Sequence, residues 1–262
     1  MNISCIQIDV KLNDANRNFD HAKVLIKKAA EDKPDVIVLP ETWNVGFAPK
    51  ETDQKECDDN GKRVKTEIGA LAKELKINIV AGSVANIKNG KLYNTSYVFD
   101  RLGSLVCEYD KTHLFTPMGE QNYFEKGDTA VSFELDGHSC TLVICYDIRF
   151  PELVRKITAE KQTDYLFMVS QWPAVRVFHL KTLLTARAIE NQMFAVCCNC
   201  PSDIAGTKFG GNSMIINPWG EMLAEAGDSE ETVTAECDES ILADIRNSIN
   251  VFADRRADLY NK

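Results

Sequence analysis

The chain has 262 residues and a net charge of −9, and its isoelectric point is about 5.1. This acidic balance argues against nucleic acid or an anionic membrane as the main partner, because contacts with phosphates need clustered Lys and Arg. Apolar residues make up 44% of the chain, which is typical of a globular protein, and no apolar run approaches the ~20 residues that span a bilayer.

The first residues, MNISCIQIDV, form a strand pattern without the basic and apolar segments of a signal peptide, so we expect a cytoplasmic protein. Similar runs rich in β-branched residues predict about a dozen strands, among them 3–8, 36–40, 78–84, 94–100, 105–111, 131–135, 141–145, 165–170, 193–199, 213–217 and 232–237. Apolar residues at helical spacing predict helices over 16–31, 64–76, 151–161, 176–192 and 238–247.

Alternating strands and helices indicate a layered α/β fold. The strands are too numerous for a single doubly wound sheet in a chain of this length. Two hairpin patterns, 94–100 with 105–111 and 213–217 with 220–225, indicate antiparallel or mixed pairing. Two packed sheets therefore fit better, and the absence of repeats and linkers predicts one domain over 1–262.

Nine cysteines are scattered without a disulfide framework, so we expect free thiols in a reducing compartment. The stretch CCNC (197–200) has the C-x-x-C spacing of some metal and redox sites. It lies on an apolar strand pattern without a second pair, and we interpret it as structural. We predict neither a metal nor an organic cofactor, and a thiol redox protein built on CCNC stays an alternative.

Three predicted strands each end on a residue suited to chemistry. Glu41 follows VIVLP, Lys111 follows LVCEYD, and Cys145 ends TLVIC, six residues before the helix-opening Pro151. A charged side chain at such a place must face a cleft or pair with an opposite charge, because burial alone is too costly. Considered one at a time, Glu41 and Lys111 could each belong to a structural ion pair, and Cys145 could be a buried residue of the core.

Together the three residues support one reaction. A carboxylate in a low-dielectric site takes the thiol proton and later donates it to a leaving amine, while a protonated lysine stabilises the oxyanion. That chemistry is acyl transfer from an amide or related C–N compound to water through a thioester. The four histidines, by contrast, lack the local setting of a catalytic triad; they are His21, His113, His138 and His179.

The motifs LPETW, YDKTHLF and CYDIRFPE, in this order, resemble the Glu–Lys–Cys signature of the nitrilase superfamily of carbon–nitrogen hydrolases. LTARAIENQ, GNSMIINPWGE and FADRRADLY extend the resemblance to the end of the chain. Within the superfamily, QWPAVR with LLTARAIENQ looks most like the omega-amidase branch, which hydrolyses 2-oxoglutaramate and 2-oxosuccinamate. The resemblance implies a four-layer α-β-β-α sandwich with two mixed sheets, commonly paired into a dimer.

The resemblance also implies roles for individual residues. Cys145 would be the nucleophile, Glu41 the general base and then acid, and Lys111 the oxyanion partner. The backbone N–H of Tyr146 would be the second oxyanion donor. Members often have a further glutamate between the lysine and the cysteine, and Glu120 matches that position.

The role of this further glutamate would be to position the substrate and to hold the charge and orientation of the lysine. Glu125 is the nearby competitor for the same role. The sequence alone leaves both glutamates within reach of the site.

An omega-amidase must bind the carboxylate of a 2-oxo acid, and bidentate geometry favours arginine for this. Arg149 and Arg176 are the candidates, with Trp172 and Phe47 as apolar walls. The alternative for Arg149 is an ion pair with Glu152 or another acid. Arg176 has the alternative of a solvated residue at the start of a helix.

We therefore predict a hydrolase that acts on a small omega-amide, with an anionic 2-oxo acid amide as its substrate and a homodimer or higher homo-oligomer as its assembly. A nitrilase, an N-carbamoyl amine hydrolase or an aliphatic amidase would carry the same three residues. A binding protein without catalysis is a further alternative, disfavoured because all three residues are present.

Overall fold

The computed structural model describes residues 1–260, in which two β-sheets pack face to face. The strands are β1 (Asn2–Gln7), β2 (Val36–Val38), β3 (Asp58–Asp59), β4 (Asn78–Lys88), β5 (Lys91–Phe99), β6 (Leu105–Asp110), β7 (Ser132–Leu135), β8 (His138–Ile144), β9 (Tyr165–Val169), β10 (Phe194–Cys198), β11 (Asp203–Ile204), β12 (Thr207–Lys208), β13 (Met214–Ile216), β14 (Met222–Glu225) and β15 (Glu231–Glu236). The helices are α1 (Ala15–Ala29), α2 (Lys62–Leu75), α3 (Pro151–Glu160), α4 (Val177–Asn191), α5 (Ser240–Ser248) and α6 (Ala257–Tyr260).

Both large sheets are mixed. The first has the order β15-β1-β2-β4-β5-β6, with β3 beside β4, and β1, β2 and β4 run parallel. The second has the order β14-β13-β10-β9-β8-β7, with β8, β9 and β10 parallel at its centre. The outer strands pair antiparallel, and β11 and β12 form a separate small hairpin.

Apolar side chains alternate along the strands, so that one face of a sheet packs against the other sheet and the opposite face packs against helices. In β2, Val36 and Val38 belong to the core between the sheets, whereas Ile37 belongs to the core under α1 and α2. Helices α3 and α4 contribute to the core of the second sheet. The predicted four-layer α-β-β-α sandwich is therefore confirmed. Within residues 1–260, every helix is too short or too polar to cross a bilayer.

The predicted hairpins β5–β6 and β13–β14 are confirmed, and besides β11–β12 the structure adds two more within the large sheets. Strands β4 and β5 run further toward each other than predicted and are joined by Asn89–Gly90, whose φ angles are 51° and 74°. Asp136–Gly137 joins β7 to β8 in the same way, so His138 begins a strand rather than lying in the turn. Both dipeptides suit positive φ, which is the signal that the strand pattern alone missed.

A bulge in β4 holds the segment that carries Glu41. Ser83 donates its N–H to the carbonyl of Pro40 (3.0 Å), and its hydroxyl accepts from the N–H of Thr42 (2.9 Å). Gly82 makes this approach possible, because its φ is +60° and a Cβ there would lie 2.0 Å from the Pro40 oxygen. The bulge thus places the backbone on both sides of Glu41 against the first sheet.

We expect Gly82→Ala to lower the free energy of unfolding far more than Gly90→Ala. Both glycines have positive φ, so each alanine pays a backbone penalty of about 1 kcal/mol. At Gly90 a Cβ meets nothing within 4 Å, whereas at Gly82 it meets a carbonyl. The Gly82→Ala loss should reach about 3 kcal/mol or more. Denaturant unfolding measures both variants, and equal losses would contradict the close approach.

Candidate active site

The three residues singled out in the sequence meet at one edge of the sandwich. Glu41 and Lys111 follow β2 and β6 of the first sheet, and Cys145 follows β8 of the second. Glu41 and Lys111 are 0% exposed, and Cys145 is 7% exposed. Packing of one sheet on the other therefore brings the thiol to the two charges.

Lys111 lies between two carboxylates. Its Nζ is 2.8 Å from Oε1 of Glu41, and 2.9 and 3.2 Å from the two carboxylate oxygens of Glu120. Burial by itself would lower the pKa of the Lys111 ammonium, but the carboxylates of Glu120 and Glu41 raise it above its ordinary value. Lys111 is therefore charged at neutral pH.

Glu120, rather than Glu125, reaches the lysine. Glu120 begins a short 3-10 helix (Glu120–Asn122), and its Oε2 accepts the N–H of Phe115 at 2.6 Å. Burial raises the pKa of Glu120, the Lys111 ammonium opposes this, and Glu41 adds to it. Glu125 is exposed and pairs with Lys91 at 3.2 Å, so it takes no part in the cluster.

Two side chains that the sequence analysis missed hold Glu41. Asn94 of β5 donates its Nδ2 to Glu41 Oε1 (2.8 Å) and, at 3.4 Å, to Glu120. Gln171 donates its backbone N–H to the other oxygen, Oε2 (2.8 Å), and its side-chain amide to the Glu41 carbonyl (2.6 Å). A buried amide in the middle of a strand is the signal for Asn94, and a polar residue after an apolar strand is the signal for Gln171.

Cys145 opens a 3-10 helix (Cys145–Arg149) in a left-handed conformation, with φ of 47°. Such a φ is unusual for a residue with a side chain, and strain of this kind concentrates at functional sites. Burial and the Glu41 carboxylate raise the pKa of the Cys145 thiol well above its ordinary value, while Lys111 and a hydrogen bond from Ser170 lower it. At rest the thiol is therefore protonated, and attack requires a base.

The turn after Cys145 is anchored by Asp147, which the sequence analysis did not single out. Its buried carboxylate accepts from the N–H of Ile144 (3.0 Å), the hydroxyl of Tyr109 (2.7 Å) and the N–H of His113 (2.9 Å). It thereby ties the turn after β8 to the segment after β6, and so holds the thiol in register with the ammonium. The side chain of His113 is also bound to Asp147, at 2.8 Å.

The thiol opens into a pocket with aromatic walls and two arginines. Arg149 stacks over Trp172 at 4.7 Å from the ring, and Arg176 lies 5.9 Å from the ring of Phe115. Within residues 1–260 neither guanidinium has a carboxylate partner, so the alternative ion pair of Arg149 with Glu152 is absent there, and Arg149 lies 3.4 Å from Nδ1 of His179 instead. The lining comprises Phe47, Phe115, Cys145, Tyr146, Arg149, Gln171, Trp172, Pro173 and Arg176.

Phe47 and Tyr146 have separate functions in this pocket. The ring of Phe47 covers the ammonium of Lys111, with Nζ 4.8 Å from the ring centroid. Tyr146 is the second residue of its 3-10 helix, and the first N–H groups of a helix have no acceptor within it. The N–H of Tyr146 thus stays a candidate donor for an oxyanion formed beside Cys145.

The CCNC stretch does not line the pocket, although Cys197 lies close enough to Cys145 and Glu41 to interact with their charges. Cys197 and Cys198 are on β10, and Cys200 follows it; all three are buried and free. Burial raises the pKa of Cys200 to about 11. In the part of the chain that the structure describes, no group of three or more His, Cys, Asp or Glu residues is arranged to hold a metal ion.

Comparison with known proteins identifies the family. A family model described as carbon-nitrogen hydrolase matches residues 2–247. The chain is 44% identical to a 2-oxoglutaramate amidase of Bacillus subtilis over 98% of both chains, and 33% identical to a human omega-amidase over 93% of this chain and 91% of that one.

A solved structure gives the same result. The fold matches a CN-hydrolase superfamily protein of Xanthomonas campestris, which has an arsenic adduct in its active site, with a TM-score of 0.91 and 28% identity. The match covers 98% of this chain and 97% of that one. The chain therefore belongs to the carbon–nitrogen hydrolase family and is an amide-hydrolysing enzyme of the nitrilase superfamily.

Proposed function

We propose that the protein hydrolyses the terminal amide of a small 2-oxo acid, of the 2-oxoglutaramate or 2-oxosuccinamate type, to the carboxylic acid and ammonia. One observation carries the proposal: a fully buried ammonium, Lys111, bound by two carboxylates beside the buried thiol of Cys145. The names of two relatives, 2-oxoglutaramate amidase and omega-amidase, support the choice of amide.

In the first half of the reaction, Glu41 removes the proton of the Cys145 thiol, and the sulfur attacks the amide carbon. The new oxyanion accepts hydrogen bonds from Lys111 and from the N–H of Tyr146. Glu41 then transfers the proton to the amide nitrogen, and the C–N bond breaks. Ammonia is released, and the acyl group stays on Cys145 as a thioester. Glu120 has no proton to move in this scheme, and its function is to hold Lys111.

In the second half, water attacks the thioester carbon and gives a proton to Glu41. The same two donors hold the second oxyanion. The C–S bond then breaks, the proton on Glu41 returns to the sulfur, and the carboxylic acid is released. Lys111 stays charged throughout, because two carboxylates share it.

At the far end of the substrate, Arg149 and Arg176 bind the carboxylate of the 2-oxo acid. The support is that both guanidiniums line the pocket and that neither has an acidic partner in residues 1–260. Arginine suits this task, because its planar fork matches a carboxylate with two parallel hydrogen bonds. Trp172 and Phe47 then cover the short apolar chain between the two ends of the substrate.

We also propose that the protein forms a homodimer or a higher homo-oligomer. Large apolar side chains are exposed on the outer side of α4 and on the neighbouring hairpin β13–β14: Phe178, Ile189, Trp219, Met222 and Leu223. An exposed apolar patch of this kind favours contact with a protein partner, and a second copy of the same chain is always present in solution. A single domain over 1–262 and a cytoplasmic location stay predictions.

Cys145→Ala should lower the release of ammonia from 2-oxoglutaramate by about a thousandfold or more, because no other group forms the thioester. Cys200→Ser is the matched control, since that thiol is equally buried but lies outside the pocket, and it should keep nearly full activity. Thermal unfolding verifies that both variants fold. Turnover by Cys145→Ala would refute the role of the nucleophile.

A substrate panel tests the acyl group. Ammonia release should be fastest for 2-oxoglutaramate and 2-oxosuccinamate, and at least about tenfold slower in kcat/KM for glutamine, an aliphatic nitrile and an N-carbamoyl amine. The physical reason is that the two arginines bind one anionic end while the thiol meets an amide at the other. Absence of turnover with both oxo-amides, together with turnover of another compound of the panel, would contradict the proposed substrate and identify that compound's class instead.

Phe178→Asp should convert the oligomer to a monomer in light scattering, because it places a charge in the exposed apolar patch. Val24→Asp is the control, since Val24 is also exposed (63%) but lies on α1, on the other outer face. It should leave the oligomer intact. A wild-type chain that is monomeric at micromolar concentration would contradict the proposed assembly.

A further inference from the structure

Three consecutive residues after β9 each meet a different part of the site. Trp172 lines the pocket, Gln171 donates its N–H to Glu41, and Ser170 contacts Cys145. The register of the second sheet explains the last contact. Strands β8 and β9 are parallel, with Ile144 opposite Val169, so the residues that follow leave the sheet side by side.

The side chain of Ser170 is directed at the sulfur. Its Oγ lies 3.4 Å from Sγ of Cys145, and the residue is 0% exposed. Within residues 1–260 this hydroxyl makes no other hydrogen bond, so its proton has one acceptor. The backbone is held on both sides, since the N–H donates to Cys198 (2.9 Å) and the carbonyl accepts from Glu41 (3.3 Å).

A hydroxyl at this place favours one state of the sulfur over the other. A neutral thiol is a weak acceptor, whereas a thiolate is a strong one, because hydrogen bonds to an ionised group are about twice as strong. The bond from Ser170 therefore strengthens as Cys145 loses its proton. An interaction that grows along the reaction accelerates it, whereas one that is constant does not.

We propose that Ser170 is a further catalytic residue, whose hydroxyl donates a hydrogen bond to Sγ of Cys145 and stabilises the thiolate that attacks the amide. The proposal rests on the role of Cys145 as nucleophile. Ser170 keeps its own proton throughout; the thiol proton goes to Glu41, as above. Its partner in this task is Lys111, whose charge also favours the thiolate, but from the first sheet.

Other charged and titratable groups surround the thiol. Glu41 and Lys111 act on its ionisation from the first sheet, and Cys197 interacts with it from β10. Arg149 and Arg176 line the same pocket, and Glu120 lies behind Lys111, to which it is bound. None of them changes in a Ser170 variant, so a difference between variants reports the hydroxyl.

The test is the pH dependence of alkylation of Cys145 by iodoacetamide, followed by peptide mass spectrometry, which separates this thiol from the other eight. Iodoacetamide reacts with the thiolate, so the midpoint of the rate profile reports ionisation without any substrate. In Ser170→Ala we expect the midpoint about one pH unit higher, and a rate about tenfold lower at pH values below it.

Two variants separate the hydrogen bond from packing. Ser139→Ala, on the strand β8 that precedes Cys145, removes a buried hydroxyl that has no partner in the described residues, and it should leave the midpoint unchanged. Ser170→Thr keeps the donor and should stay near the wild-type midpoint. Thermal unfolding verifies that each variant folds.

The outcomes distinguish this proposal from the one on which it rests. An unchanged midpoint in Ser170→Ala, or equal shifts in Ser170→Ala and Ser170→Thr, would overturn the role of Ser170. A Cys145 that resists iodoacetamide at every pH, in wild type and variants alike, would instead contradict its role as nucleophile. The expected result is a shift in Ser170→Ala alone, with kcat/KM for the amide lowered by about tenfold.

Discussion

The buried ammonium of Lys111 is the interaction on which the site depends. A charge removed from water must be paired, and Glu41 and Glu120 pair it from two other segments of the chain. Loss of Lys111 would leave two buried carboxylates without their cation, and removal of one partner of a typical buried ion pair costs about 3–5 kcal/mol. The ends of β2 and β6 and the short helix at Glu120 are therefore held together by electrostatics as well as by packing.

The second constraint is that the site is divided between the two sheets. The first sheet supplies both charges at the ends of β2 and β6, and the second supplies the thiol and the segment after β9. Gln171 joins the halves, since it belongs to the second sheet and bonds Glu41 of the first. Asp147 makes a similar link from the turn of Cys145 to the segment after β6. The close packing of the two sheets therefore fixes the position of the thiol relative to the two charges.

The environment of Cys145 explains why so many groups surround one sulfur. Burial favours the neutral thiol, and the positive charge and the hydroxyl nearby favour the thiolate. A thiol in this environment is protonated at rest, so its attack on an amide needs a base. The other buried cysteines do not line this pocket, which leaves Cys145 as the reactive candidate. This holds also for Cys237, where the N-terminal ammonium opposes the effect of burial on the thiol pKa.

Local pattern in the sequence determined most of the strands, most of the helices, two hairpins and the positions of Glu41, Lys111 and Cys145 after strand ends, but it missed the short strands β3, β11 and β12. These features depend on periodicity and on neighbours in the chain, which a single sequence displays. Only the tertiary structure decided between Glu120 and Glu125, and only it shows that the two arginines of the pocket have no carboxylate partner in residues 1–260. It also places four side chains at the site that the sequence pattern did not indicate: Asn94, Asp147, Ser170 and Gln171. Those contacts join residues up to 130 positions apart. They follow from strand register and from the packing of one sheet on another, which no local pattern encodes.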